Sequence, residues 1–218
     1  MAARARPALI VAGIDVGGTA KGFHAVALAD GALVDVFSSV DPAAVARWCT
    51  ASGARHVGVD APCGWSRDGR MRPAERALLA AGIPCFASPT RAAALAHPRN
   101  WYGWMLNGER LYRLLKRRYA LYAGGAPAPA GQCFETFPQA IACALAAKRV
   151  PARDKRARRR ALLEEAGIDT RRLTNIDLVD AALCALAAQH FATARFDAFG
   201  TAGDALIVVP SPAAQAGR

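Results

Sequence analysis

Leu9-Ile10-Val11-Ala12-Gly13-Ile14-Asp15-Val16-Gly17-Gly18-Thr19 is an apolar run that ends in an acid and a glycine turn, and its reading decides the fold. Residues 8–15 fit a strand buried on both faces and closed by a turn. The next segment, Phe23 to Leu28, is a second strand-like run and not a helix. A P-loop or a dinucleotide fingerprint requires strand, glycine loop and helix in that order, so both are excluded. Asp15 is left at the carboxyl end of a buried first strand. A turn of this kind holds phosphate, presents an acid to a metal, or simply reverses the chain.

Working outward, Asp30-Gly31 is a hairpin turn signal and Leu33 to Phe37 a third strand. Asp41-Pro42 places an N-cap and a first-position proline at the start of a helix that runs to about Ser52. Residues 56–60 read as a fourth strand, parallel to the first. Residues 61–75 read as a loop rich in Pro, Gly and Arg, and Pro73 to Ala81 as a short helix. Met105 to Tyr122 reads as a basic amphipathic helix, and residues 123–131 as a linker. Order returns with a strand at 132–136 and helices at 138–147, 151–166 and 176–192. A last edge strand is expected over Ala205 to Val209, ended by Pro210. The order is α/β. It predicts one domain over residues 1–210, with 61–131 as a helix-and-loop insertion after the fourth strand and 211–218 as a disordered tail.

The bulk composition narrows the function classes. Hydrophobic residues make up 53%, but 52 of the 218 residues are alanine, which points to tight helix packing more than to a membrane span. Arg4 and Arg6 before Pro7 to Ile14 superficially resemble a secretion signal. The apolar run is too short for one and ends in Asp15 with no small-residue cleavage site, so the expectation is a cytoplasmic protein with no membrane contact. Six cysteines without a CxxC pair argue against a zinc knuckle or a disulfide framework. The net charge of +11 suits a polyanionic partner. Basic residues gather in two places: Lys148 to Arg160, and Arg110 to Arg118 interleaved with Tyr112 and Tyr119. Arg117, Arg118, Arg156 and Arg159 are the candidate nucleic-acid contacts, with a solvated helix face as the equal alternative.

Carboxylates carry the chemistry. Asp60 closes the fourth strand, and Pro62 breaks the chain just after it. Glu135 stands mid-strand between Phe134 and Phe137, where an unpartnered acid is costly. Asp177 and Asp180 share one face of an apolar, alanine-rich helix. Asp177 is explained by the preference of helix N-termini for acids; Asp180, further in, is not. Converging carboxylates are what hold divalent cations for phosphodiester hydrolysis.

Gly13-Ile14-Asp15-Val16-Gly17-Gly18 with Lys21-Gly22-Phe23, Val57 to Pro62, Arg70 with Arg72, Glu135 to Pro138, and Asp177 to Ala181 resemble the predicted nucleases of domain-of-unknown-function family 429. That family sits in the ribonuclease H-like superfamily, alongside Holliday-junction resolvases of the RuvC kind. The resemblance implies a mixed five-stranded sheet flanked by helices. It implies a nuclease that uses Mg²⁺ or Mn²⁺, acts on DNA or RNA and works by a two-metal mechanism. Asp15, Asp60, Glu135 and Asp180 would be its catalytic and metal-binding residues, and Asp177 a fifth ligand. Lys21 and Arg70 or Arg72 would steady the scissile phosphate. Two other functions compete: an actin-like sugar kinase or ATPase, which needs a second such domain, and a non-catalytic nucleic-acid-binding scaffold. Oligomeric state is open, with a homodimer among the options.

Overall fold

The computed structural model describes residues 7–151 and 153–211. Strands β1 (Ile10–Val16), β2 (Phe23–Ala29) and β3 (Ala32–Ser39) form an antiparallel meander. Helix α1 (Pro42–Ala51) then crosses to β4 (His56–Asp60), which lies parallel to β1. The side chain of Asp41 caps α1 by accepting from the N–H groups of Ala43 and Ala44. Helices α2 (Pro73–Ala80), α3 (Arg91–Ala96) and α4 (Gly103–Leu115) and the short strand β5 (Ala120–Leu121) come from residues 61–131. After them come β6 (Gln132–Glu135), α5 (Pro138–Leu145), α6 (Lys155–Glu165), α7 (Ile176–Ala192), β7 (Phe196–Phe199) and β8 (Ile207–Pro210).

The sheet runs β3-β2-β1-β4-β6-β8-β7, with β5 paired to β6 off that path. Its first five members, three meander strands followed by β4 and β6 parallel to β1, form the ribonuclease H-like arrangement. The sheet has eight strands where the resemblance implies five and the segment-by-segment reading gives six. Two of the extra ones, β5 and β7, have two and four residues. Segments that short carry little periodic signal and exist through their pairing to β6 and β8. The strand expected at the edge, β8, is interior: all four of its residues are buried, and β7 is the edge. Four consecutive apolar residues buried on both faces mark an interior strand.

Two layers flank the sheet. Helix α7 covers one face, in a core with Phe134, Ile141, Leu163 and Val208. Helices α1 and α4 cover the other, over Ile14, Val59, Leu111 and Tyr119. Residues 116–122, read as the end of a basic helix, leave α4 after Leu115. Tyr119 goes inward, where its one hydroxyl proton is shared between the carbonyls of Cys49 and Ala54, 3.1 and 3.0 Å away. The ring of Tyr122 meets Phe191 edge-on at 4.9 Å. Burying two tyrosines with satisfied hydroxyls outweighs one more turn of solvated helix. The tail expected at 211–218 lies, beyond Ser211, outside the described residues.

Candidate metal centre at the carboxyl ends of the parallel strands

The register brings Asp15 and Asp60 side by side. They are level with each other on adjacent parallel strands, as are Gly13 and Gly58 two residues earlier. Level residues on neighbouring strands face the same side. That side is α7. A Cβ on Gly13 would stand 2.1 Å from the carbonyl oxygen of Ala181, and one on Gly58 would stand 2.6 Å from that of Cys184. Only glycine lets the helix backbone lie this close to the sheet. Cys184 is one turn beyond Asp180 and two turns beyond Asp177, so the seat of α7 on the two glycines sets both acids over the strand ends. Asn175 caps the helix by accepting from the N–H of Leu178. The positive end of a 17-residue helix therefore points at the cluster.

Four aspartates thus converge, two of them with a cationic partner. Lys21, on the β1–β2 turn, donates to Asp177 at 2.7 Å. Arg159 of α6 pairs with Asp180, and its second nitrogen donates to Gln139 at 3.1 Å. Among the described residues neither Asp15 nor Asp60 has an ion-pair partner, and Oδ2 of Asp15 is buried with no hydrogen-bond partner at all. The energetic consequence is direct. Burial first, and then the charge of Asp180, raise the Asp15 carboxyl to about 7. Burial and the charges of Asp15 and Asp180 push Asp60 well above the usual carboxylate range. Asp180 is raised by burial in spite of Arg159. Buried acids whose pKa values are raised by burial and by one another fit a divalent cation as the missing positive charge. The donor chemistry, carboxylate oxygens with a buried lone pair left over, is that of a hard-cation site.

His24 belongs to the same place and is absent from the sequence-level candidates. It is the direct cross-strand partner of Asp15. One donor atom from each of Asp15, His24 and Asp177 lies within 4.8 Å of the others. Its Nδ1 is buried and unpartnered, and burial lowers the pKa of the ring. The register that pairs them is set by the Val16–Phe23 closure of the hairpin, which the sequence does not show.

Glu135 is not brought into the cluster. It is level with Val59, not Asp60, and so faces the side of the sheet opposite α7. Both of its oxygens are taken: Arg72 donates to them at 2.6 and 2.9 Å, and the N–H of Cys63 donates to Oε2 at 2.9 Å. The structure thus places Glu135 and Arg72 together, away from Asp15 and Asp60. Glu135 is bonded to the 61–72 segment through the Cys63 N–H and Arg72, and Arg72 is buried with three of its nitrogens engaged by Glu135 and, at 2.7 Å, Glu75. Arg70 is exposed, with Asp68 4.0 Å away.

The basic candidates divide as well. Arg159 is buried in its ion pair with Asp180 and does not lie on the surface. Arg156 donates to the carbonyl of Thr174, and Arg160 to those of Thr170 and Leu173. The basic run of α6 thus fastens the loop that leads into α7. Arg117 and Arg118 are exposed, but they precede Ala120, which pairs with Gln132 at the opposite end of the strands from Asp15. Their neighbours Tyr112 and Tyr119 are buried and offer no stacking surface.

No described helix is long and apolar enough to cross a membrane. No curated protein matches the chain. Two solved structures resemble it at a distance. Thermus thermophilus RuvC is 18% identical with a TM-score of 0.42, covering 86% of this chain and 96% of that one. T. thermophilus RuvC in complex with a Holliday junction substrate is 17% identical with a TM-score of 0.41, covering 86% and 95%. The family model described as protein of unknown function (DUF429) matches residues 13–202, from the middle of β1 to beyond β7. With Asp15, the whole of β4 and the whole of α7 inside that match, which spans most of the chain, the chain belongs to the DUF429 family.

Proposed function

We propose that the protein is a divalent-metal-dependent nuclease that hydrolyses phosphodiester bonds of nucleic acid at the Asp15–Asp60–Asp177–Asp180 cluster. The observation that carries this reading is the convergence of four aspartates from three elements around a buried, unpartnered Asp15 oxygen. Acids held together only by structure would be paired or exposed; here two are neither. Asp15, Asp60, Asp177 and Asp180 would hold Mg²⁺ or Mn²⁺. A bound divalent ion supplies an activated water and charge stabilisation on the phosphate. The chain's own residues do the rest. Arg159, itself held by Gln139, fixes the Asp180 carboxylate. Lys21 stands half-exposed at the rim, where it can meet a phosphate oxygen. Lys155 is exposed and close enough to act on the charges of Asp15 and Asp180. The +11 net charge favours a polyanionic substrate over a neutral one. A two-ion arrangement would draw on the four aspartates, of which Asp15 and Asp177 bring donor atoms within 4.8 Å of each other.

The test is cleavage of single-stranded, duplex and branched DNA and of RNA, with Mg²⁺, with Mn²⁺ and with a chelator. Metal-dependent cleavage that Asp15→Asn abolishes, with its far-UV spectrum unchanged, is the expected result. Equal activity of that variant, or of the chelated protein, overturns the reading.

A further inference from the structure

We infer that His24 is a nitrogen ligand in this centre, together with Asp15 and Asp177, and that it tunes the centre to Mn²⁺ in preference to Mg²⁺. The inference rests on the metal-binding part of the function proposed above and not on hydrolysis.

The geometry begins in the β1–β2 hairpin. Asp15 and His24 are directly opposite on antiparallel strands, one pair in from Val16–Phe23 at the turn. Side chains so placed share a face, and α7 brings Asp177 over the pair. Donor atoms of the three residues lie within 4.8 Å of one another. Donors about 2.1 Å from a common ion stand up to about 4.2 Å apart, so the set closes with a small side-chain adjustment. Two of the donor residues carry buried polar atoms without any partner, Nδ1 of His24 and Oδ2 of Asp15, and Asp15 is only 7% exposed. Oδ2 of Asp177 lies 3.9 Å from Nδ1 of His24, too far for a hydrogen bond. His24 therefore faces Asp177 at ion-pair range without a hydrogen bond to it. Lys21 uses Oδ1 of Asp177 and leaves Oδ2 to the His24 side.

Ligand type then argues for the ion. Mg²⁺ prefers an octahedron of oxygens and keeps much of its water. An imidazole nitrogen is a softer donor that strengthens binding of first-row transition ions. A carboxylate–imidazole set accordingly favours Mn²⁺ over Mg²⁺, with Co²⁺ and Zn²⁺ accepted for the same reason.

Two measurements on the full chain, freed of metal by chelation, test this. Calorimetric titration should show Mn²⁺ binding at least about tenfold more tightly than Mg²⁺. Pulsed electron paramagnetic resonance of the Mn²⁺-loaded protein should show coupling to a ¹⁴N nucleus, which needs no variant. His24→Ala, with its metal-free melting curve as the folding control, should lose that coupling and most of the preference. His24→Asp should recover Mg²⁺ binding. Absence of nitrogen coupling in the wild type, or an unchanged Mn²⁺-to-Mg²⁺ ratio in His24→Ala, overturns the inference. Cleavage without nitrogen coupling would sink this inference and leave the nuclease reading standing. Nitrogen coupling without cleavage of any nucleic acid would do the reverse.

Discussion

Glu135 and Asp60 sit one register step apart on neighbouring strands, and that step sends them to opposite faces of the sheet. The difference decides their chemistry. Asp60 joins Asp15 under α7, whereas Glu135 meets a guanidinium 63 residues earlier in the chain. Arg72 is buried between Glu135 and Glu75, and its pairs raise its pKa further despite the cost of burial. Removing one member of such a network strands buried charge. Arg72→Met is therefore expected to cost about 3–5 kcal/mol in urea unfolding while leaving nucleic-acid affinity per folded molecule unchanged. A loss of affinity at full stability would return Arg72 to the substrate. An acid mid-strand is visible in the sequence as an anomaly; which cation answers it is not, because the answer lies in another element.

At the scale of elements, α7 is the part on which the site depends. It is apolar on every side and nearly all of it is buried, so its periodicity says little about which face meets the sheet. The two glycines decide that. Gly13 and Gly58 make a smooth track under Ala181, Cys184 and Ala185. A methyl group at Gly58 would stand 2.6 Å from a backbone carbonyl that no side-chain rotation can move. Gly58→Ala should lower stability by about 1–3 kcal/mol and displace Asp177 and Asp180 together. Its Mn²⁺-induced rise in melting temperature should therefore shrink well below that of the wild type, read by calorimetry. A full metal-induced rise in that variant would show that the seat does not position the acids. On the outer side, Arg156, Arg159 and Arg160 of α6 hold the loop into α7 and Asp180 itself. A basic run that looks like a nucleic-acid track in sequence is in large part a clamp.

Across the whole molecule, the excess positive charge is not concentrated where the acids are. Lys21 and Lys155 border the cluster, while Arg117 and Arg118 lie at the far end of the parallel strands. Arg117→Ala with Arg118→Ala should leave the salt dependence of nucleic-acid binding within about one unit of log–log slope of the wild type. Lys21→Ala with Lys155→Ala should flatten it by about two. The opposite ranking, measured by fluorescence anisotropy between low and moderate salt, would place the substrate on the other end of the sheet. The strand–turn–strand opening, the cap at Asp41, the parallel strand ending in Asp60 and the misfit of Asp180 in an apolar helix were all legible in the sequence. Each is written within a few residues, by hydrophobic period, turn chemistry or a charge out of place. Tertiary structure alone decided that His24 faces Asp15, that Glu135 faces Arg72, that Arg159 turns inward and that β8 is interior. Those facts depend on strand register and on contacts between distant segments, and a one-residue change of register reverses every side chain on a strand.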